Sequence, residues 1–177
     1  MSTATAPFTG TYAADPVHSS FGFTVLYQGV SLYRGTLEDV TATLSDGRLE
    51  GTAKVESISI RSPEQFRAHV LSPEFFDAER HPEVHFASSE LELREDGTVT
   101  AAGDLTIKGI SKPVQAEGTW TAPAPDAFGN TRAHLRLEGV VDRTDYEMHW
   151  NMSLPSGGQA LGNDVTVSVE LSLIEQA

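Results

Sequence analysis

The sequence predicts an all-β protein: an antiparallel barrel of about eight strands with one short helical insertion. Between Ser20 and Tyr27, Phe21, Phe23, Val25 and Tyr27 alternate with Ser20, Gly22 and Thr24, the period-two signature of a half-buried strand. The last strand repeats it, with Val165, Val167, Val169, Leu171 and Leu173 against Thr166, Ser168, Glu170 and Ser172. Short alternating runs joined by tight turns fill the chain between them, which suggests a barrel or a sandwich. Gly22, Gly35, Gly103 and Gly139 interrupt strand patterns. Glycine there marks a bend or bulge that a curled sheet needs, and this favours the barrel.

In chain order, residues 1–10 are small and polar and are expected to form a loose leader to a single domain over 11–177. Val30 to Leu37 reads as a strand with Tyr33, Gly35 and Leu37 on one face. Asp39 to Leu44 runs into Asp46-Gly47, a strong hairpin turn, and Leu49 to Ile60 continues as a strand. Ser62-Pro63-Glu64-Gln65 has the form of a capping box with proline at the first helical position, and Ser72-Pro73-Glu74-Phe75 repeats the device. They predict a helix over 63–71, with Phe66 and Val70 on one face, and another turn or two over 73–78 that Pro82 ends. Strands follow at Val84 to Leu93, closed by Asp96-Gly97, then at Val99 to Ile107, Val114 to Trp120 and His134 to Val141. Ala122 to Asp126 is expected to be a loop, because its prolines remove ladder donors. Leu154 to Asn163, with Pro155-Ser156-Gly157-Gly158, is a second expected loop.

Composition narrows the function. The chain has 177 residues, 39% of them hydrophobic, enough for one domain with a core. It has no cysteine, so disulfides, thiolate metal sites, iron–sulfur clusters and cysteine nucleophiles are excluded. A net charge of -13 disfavours nucleic acid and anionic membrane surfaces. No apolar run approaches the ~20 residues that span a bilayer. The start, Met-Ser-Thr-Ala-Thr-Ala-Pro-Phe, lacks the basic and apolar regions of a signal peptide, and the expectation is a cytoplasmic protein.

Neither a phosphate-binding glycine loop nor a nucleophile elbow occurs. His81-Pro82-Glu83-Val84-His85 is not a zinc motif, since Pro82 breaks the helix that would align two histidines. Asp15, His18, Ser19 and Ser20 include the residue types of a triad, but adjacency in an extended segment does not bring them together. Their simpler role is to satisfy backbone groups at the entry to the strand; a ligand head-group contact is the alternative. No catalytic residue, metal site or cofactor follows from these residues. Arg61, Arg67, Lys108 and Arg143 are candidate anion contacts near strand ends.

Four segments carry a family resemblance: Asp15-Pro16-Val17-His18-Ser19-Ser20-Phe21; Ser72 to Asp77 followed by His81 to Ser89; Gly103-Asp104-Leu105-Thr106-Ile107-Lys108-Gly109-Ile110-Ser111-Lys112-Pro113-Val114; and Asp142-Arg143-Thr144-Asp145-Tyr146. In this order and spacing the chain resembles the YceI-like family, the polyisoprenoid-binding, lipocalin-like proteins of bacteria. The resemblance runs from about residue 11 to 174. It implies an extended lipocalin-like barrel whose apolar tunnel holds an isoprenoid or similar amphiphilic lipid without catalysis; dimers are known in the family. This chain departs from the family in having Tyr27 where a histidine is frequent, Arg67 where the insertion usually has aspartate, and Asp142 for asparagine. His69 is kept.

Phe21, Phe23, Val25, Tyr27, Phe75, Phe76, Val165, Val167 and Val169 are the candidate ligand-lining residues, with ordinary core as the competing role of each. His18, His69 and Arg143 are possible head-group contacts. A slot lined this way favours an apolar chain, each buried methylene contributing about 0.8 kcal/mol before entropic costs. The competing functions are a lipid-modifying or hydrolytic enzyme using His18 or His69, and a structural or interaction module with a filled barrel. A homodimer is possible for any of them.

Overall fold

The computed structural model describes residues 8–177. The strands are β1 (Thr11–Ala14), β2 (Ser20–Tyr27), β3 (Ser31–Leu37), β4 (Val40–Ser45), β5 (Arg48–Lys54), β6 (Glu83–Leu93), β7 (Thr98–Ile107), β8 (Ile110–Pro125), β9 (Thr131–Asp142) and β10 (Leu161–Glu175), with one α-helix, α1 (Glu64–Leu71). All pair antiparallel in one sheet of order β1-β4-β5-β6-β7-β8-β9-β10-β2-β3, which β1 closes onto β10. The result is a closed barrel of eight strands. Its ring runs through β1, β4 and on to β10; β2 and β3 prolong it beyond one end.

That extension decides where the hollow lies. β10 is long enough to hold β1 through Leu173–Glu175 and β2 through Leu161–Glu170. β3 pairs with β2 along one side and leaves its other edge without a strand. The insertion from Val55 to Pro82 covers this side of the barrel; its one β-bridge there joins Leu37 and Ile58, and Ser59 N donates to Thr36 O at 2.7 Å. An unpaired strand edge needs such a cover.

The opposite end is filled. Tyr12, Leu44, Leu135, Leu171 and Leu173 are almost completely buried there. Phe8 packs edge-on against Tyr12 at 5.1 Å and at a tilt against Trp120 at 6.0 Å. The expected leader therefore fails at Phe8, which is core; residues 1–7 lie outside the described residues. Asp15 ties this end together. Its carboxylate accepts from Val17 N at 3.0 Å and from Arg132 Nη1 at 3.0 Å, while Arg132 also donates to Ser172 Oγ and Asp126 Oδ2.

The hairpins follow their turn residues. Asp46-Gly47 takes left-handed φ values of 51° and 72°, and Lys108-Gly109 takes 55° and 74°, as a two-residue hairpin with matching twist demands. At Gly109 a Cβ would also stand 2.6 Å from the His81 ring, so two reasons select glycine.

Some boundaries differ from expectation. The run expected to continue to Ile60 leaves the sheet at Lys54 and turns through a 3-10 segment, Val55–Ser57. Its apolar residues stay buried, but the Ser57 hydroxyl oxygen now accepts from Glu38 N and Asp39 N. The first capping box does not form: Pro63 occupies the N-cap and no side chain caps the helix. β8 runs through the expected proline loop to Pro125. A bulge between Thr121 and Ala124 and the absence of a β7 partner beyond Thr119 leave no ladder bond for Pro123 and Pro125 to break.

Candidate functional site

The extended half of the barrel holds an apolar slot of about 240 Å3. β2 supplies Phe21, Phe23, Val25 and Tyr27 to its wall, as their shared face requires. β10 sets Val167 opposite Phe23 and Val165 opposite Val25. The insertion supplies Phe66, His69, Val70, Phe75 and Phe76. The segment after β9 closes the last side with Arg143, Tyr146, Met148, Trp150 and Met152. Along β2, Tyr27 is 44% exposed at the mouth, whereas Val25 and Phe21 are each 7% exposed.

Aromatic rings link the insertion to the barrel. Phe23 lies 5.8 Å from Phe76 and 6.2 Å from Tyr33, and Tyr33 meets Phe66 edge-on at 5.7 Å. Such pairs add about 0.5–1.5 kcal/mol each beyond the area they bury. A second group surrounds His69, whose ring meets Trp150 at 4.7 Å and Phe75 at 5.0 Å, both edge to face.

Polar groups in the slot are few. His69 Nε2 is paired with the Glu74 carboxylate. Tyr146 is almost fully buried and donates its hydroxyl to Leu105 O at 3.1 Å. Burial, with help from Asp145 and Asp104, pushes its phenol up to about 12, so it stays neutral. Burial also raises the Tyr33 phenol.

Arg143 is 4% exposed and has no carboxylate partner among the described residues. Its guanidinium instead donates to the carbonyls of Gly162 (2.8 Å), Met148 (2.7 Å), Trp150 (2.9 Å) and Leu161 (3.4 Å). Desolvation lowers its pKa, yet an arginine remains charged. It clamps the segment between Tyr146 and β10 against the barrel. Arg67 works the same way outside the slot, donating to Glu56 O, Ile58 O and Ile60 O.

Phe21, Phe23, Val25, Tyr27, Phe75, Phe76, Val165 and Val167 thus converge on the slot, as do His69 and Arg143. Val169 does not reach it. It lines two smaller cavities, of about 40 Å3 and 50 Å3, that Phe21 also borders. His18 is far from a head-group role. It precedes β2 beyond the floor, its side chain is 68% exposed, and Nδ1 pairs with Asp15 Oδ2 at 2.8 Å. His81 and His85 are separately engaged, His81 against Gly109 and His85 with Glu50 at 2.9 Å. Arg143 reaches the slot with four of its five N–H groups donated to backbone carbonyls, so its main role is structural and one Nη2–H is left for an anion.

Sequence reasoning missed Tyr33, Tyr146, Met148 and Trp150 as lining residues. Tyr33 stood on a recognised strand face and Tyr146 in a recognised motif, so each had a signal. Met148 and Trp150 lie in an irregular segment with no period to read. Among the described residues the slot falls a little below the ~300 Å3 at which ligand pockets typically begin, which is smaller than the long tunnel that the resemblance implies.

The family model of the YceI-like domain matches residues 12–173. A UPF0312 protein of Photorhabdus laumondii is 26% identical over 160 residues, covering 86% of this chain and 80% of that protein. Among solved structures, Burkholderia cenocepacia BcnA superposes with a TM-score of 0.72 at 17% identity, covering 92% of this chain and 99% of that one. A polyisoprenoid binding domain from Saccharophagus degradans, implicated in plant cell wall breakdown, superposes with a TM-score of 0.64 at 12% identity, covering 93% and 98%.

Proposed function

The chain belongs to the YceI-like family, and from that premise we propose that it binds an isoprenoid or similar amphiphilic lipid non-covalently and carries or sequesters it. The slot carries the reading. A space of about 240 Å3 walled by Phe, Val, Tyr, Met and Trp, open at Tyr27, suits an apolar chain that enters end first. The volume corresponds to about eight waters' share of liquid, so it seats one end of a long chain and leaves the rest toward the mouth. The polyisoprenoid-binding structural neighbour is consistent with this class of ligand.

The head group that fits best is uncharged. Arg143 is the one arginine or lysine among the described lining residues, and backbone carbonyls take four of its five donors. His69, steadied by Glu74, is left to exchange a hydrogen bond with an alcohol or carbonyl. A histidine–carboxylate pair also serves acid–base enzymes. Here it faces an apolar slot whose other lining hydroxyls are phenols, so we assign it to binding. The slot lies just under typical ligand-pocket size, and its almost wholly apolar lining is what supports a binding protein over a filled interaction module. Cytoplasmic residence and a homodimer belong to the same proposal.

The test is organic extraction of protein purified from its native host without detergent, analysed by mass spectrometry beside native mass spectrometry of the intact sample. A stoichiometric isoprenoid-type mass is expected, and the intact masses separate monomer from dimer. An empty protein that also fails to bind added polyprenols would overturn the reading. Fractionation of the host cell tests the compartment.

A further inference from the structure

We propose that Phe21 is the stop that sets how long a chain the slot accepts. The inference rests on the carrier reading above and adds a residue that decides specificity. Three cavities share wall residues: the slot and the two smaller ones of about 40 Å3 and 50 Å3. Phe21 lines all three, and no other described residue does. Val167 is shared by the slot and one small cavity, whereas Phe21 is the one residue common to all three walls.

Position explains this. Phe21 lies opposite Val169 on one side and Leu37 on the other, at the level where the hollow half of the barrel meets the filled half. Beyond the ring several wall residues are short: Ala42, Gly51 and Ala53 border one small cavity and Ala116 and Gly139 the other, beside Phe86 and Leu105, which border both. Both cavities are almost wholly apolar and each approaches the volume of one or two waters, too little for a chain while the ring stands in place. The phenyl group holds no hydrogen bond, so shape alone makes it a stop.

A smaller residue at position 21 joins the spaces. The slot then continues past Val169, and a longer chain gains buried methylenes, each worth about a fourfold increase in affinity.

The test uses the full chain and a ladder of prenyl alcohols: farnesol, geranylgeraniol and longer polyprenols. Binding is measured calorimetrically for wild type, Phe21→Ala and the milder Phe21→Leu. Wild-type affinity is expected to rise with length and then level off. In Phe21→Ala the plateau moves out by at least one isoprene unit, with about a tenfold gain for the first longer alcohol. Phe21→Leu lies between, and it carries the comparison where the alanine variant does not fold. Val169→Phe added to Phe21→Ala refills the inner space from a residue outside the slot and is expected to restore the wild-type plateau. A plateau unchanged in folded Phe21→Ala and Phe21→Leu overturns the assignment of Phe21 and leaves the carrier reading standing. No binding of any alcohol by any of the proteins overturns the carrier reading, and this inference with it.

Discussion

The ring of Phe23 rests on Gly35, its partner across β2 and β3: a Cβ on Gly35 would stand 2.8 Å from Phe23 Cε1 and 2.9 Å from Cε2, and closer still to Cζ. The missing side chain is the seat of the aromatic one. It keeps Phe23 against the slot wall, between Tyr33 and Phe76. Gly35→Ala forces the ring into the slot. Ligand affinity is expected to fall by about tenfold or more. Stability should drop by about 1–3 kcal/mol, the usual cost of overpacking, as read from denaturant midpoints.

Arg143 should matter more to folding than to ligand charge. Arg143→Lys keeps the positive charge but lacks the planar fork that reaches several carbonyls at once. The variant is expected to lose about 2–4 kcal/mol, because buried carbonyls lose their donors. Hydrogen exchange should quicken across residues 147–162, the segment that the guanidinium holds. A variant as stable as wild type, with unchanged exchange there, contradicts the clamp.

Asp15 makes stability depend on acid pH. The hydrogen bond from His18, that from Arg132 and that from Val17 N outweigh desolvation and hold its carboxyl at about 2. The folded value lies below the unfolded value of about 3.9, so the unfolded chain binds the proton first. The contribution is complete above about pH 4 and is lost as pH falls toward about 2. Asp15→Asn is expected to be less stable than wild type by about 1–2 kcal/mol at neutral pH, with the gap closing over that acid range. Thermal melts of both proteins from pH 7 downward check it.

Ligand entry should be visible through Trp150 and not through Trp120. Trp150 lines the slot, whereas Trp120 is engaged elsewhere, donating Nε1–H to Arg94 O at 2.8 Å and packing against Phe8. A bound prenyl alcohol is expected to shift or quench the fluorescence of wild type and Trp120→Phe. Trp150→Phe should keep its binding by calorimetry and lose the optical response. A response that disappears only with Trp120 contradicts the placement of the ligand.

His69 supplies a head-group test. His69→Ala is expected to weaken binding of a prenyl alcohol by about tenfold. It should leave binding of a hydrocarbon of equal length nearly unchanged, because only the alcohol exchanges a hydrogen bond. Equal losses for both ligands would assign His69 to packing against Phe75 and Trp150 alone.

Much of this architecture was legible in the chain for local reasons. Alternation at Phe21, Phe23, Val25 and Tyr27 names an inward face, because successive side chains of a strand point to opposite sides. Asp46-Gly47 and Asp96-Gly97 announce reversals. The placement of Phe66 and Val70 four residues apart points one helix face at the barrel. The proline loop misled because a proline's cost depends on whether its neighbour has a ladder partner, and for Pro123 and Pro125 that was decided by where β7 begins. Phe8 misled because one aromatic in a polar run shows no period, although Tyr12 and Trp120 were waiting for it.

The sequence by itself determined the strand faces, the turns, the insertion and the apolar character of the interior, all of which depend on neighbours along the chain. Only the tertiary structure decided which half of that interior is hollow. Period two shows that Val167, Val169 and Leu171 point inward, but not whether the residues across the barrel fill the space between them. Tyr12 and Leu44 fill it at one end, while the insertion spans it at the other and leaves a slot. The same limit applies to polar groups. Arg143 and His18 read alike as candidate contacts, yet carbonyls 5 to 19 positions away engage one and an exposed strand entry holds the other. A side chain's chemistry is local, but the partners that satisfy it are brought by the fold.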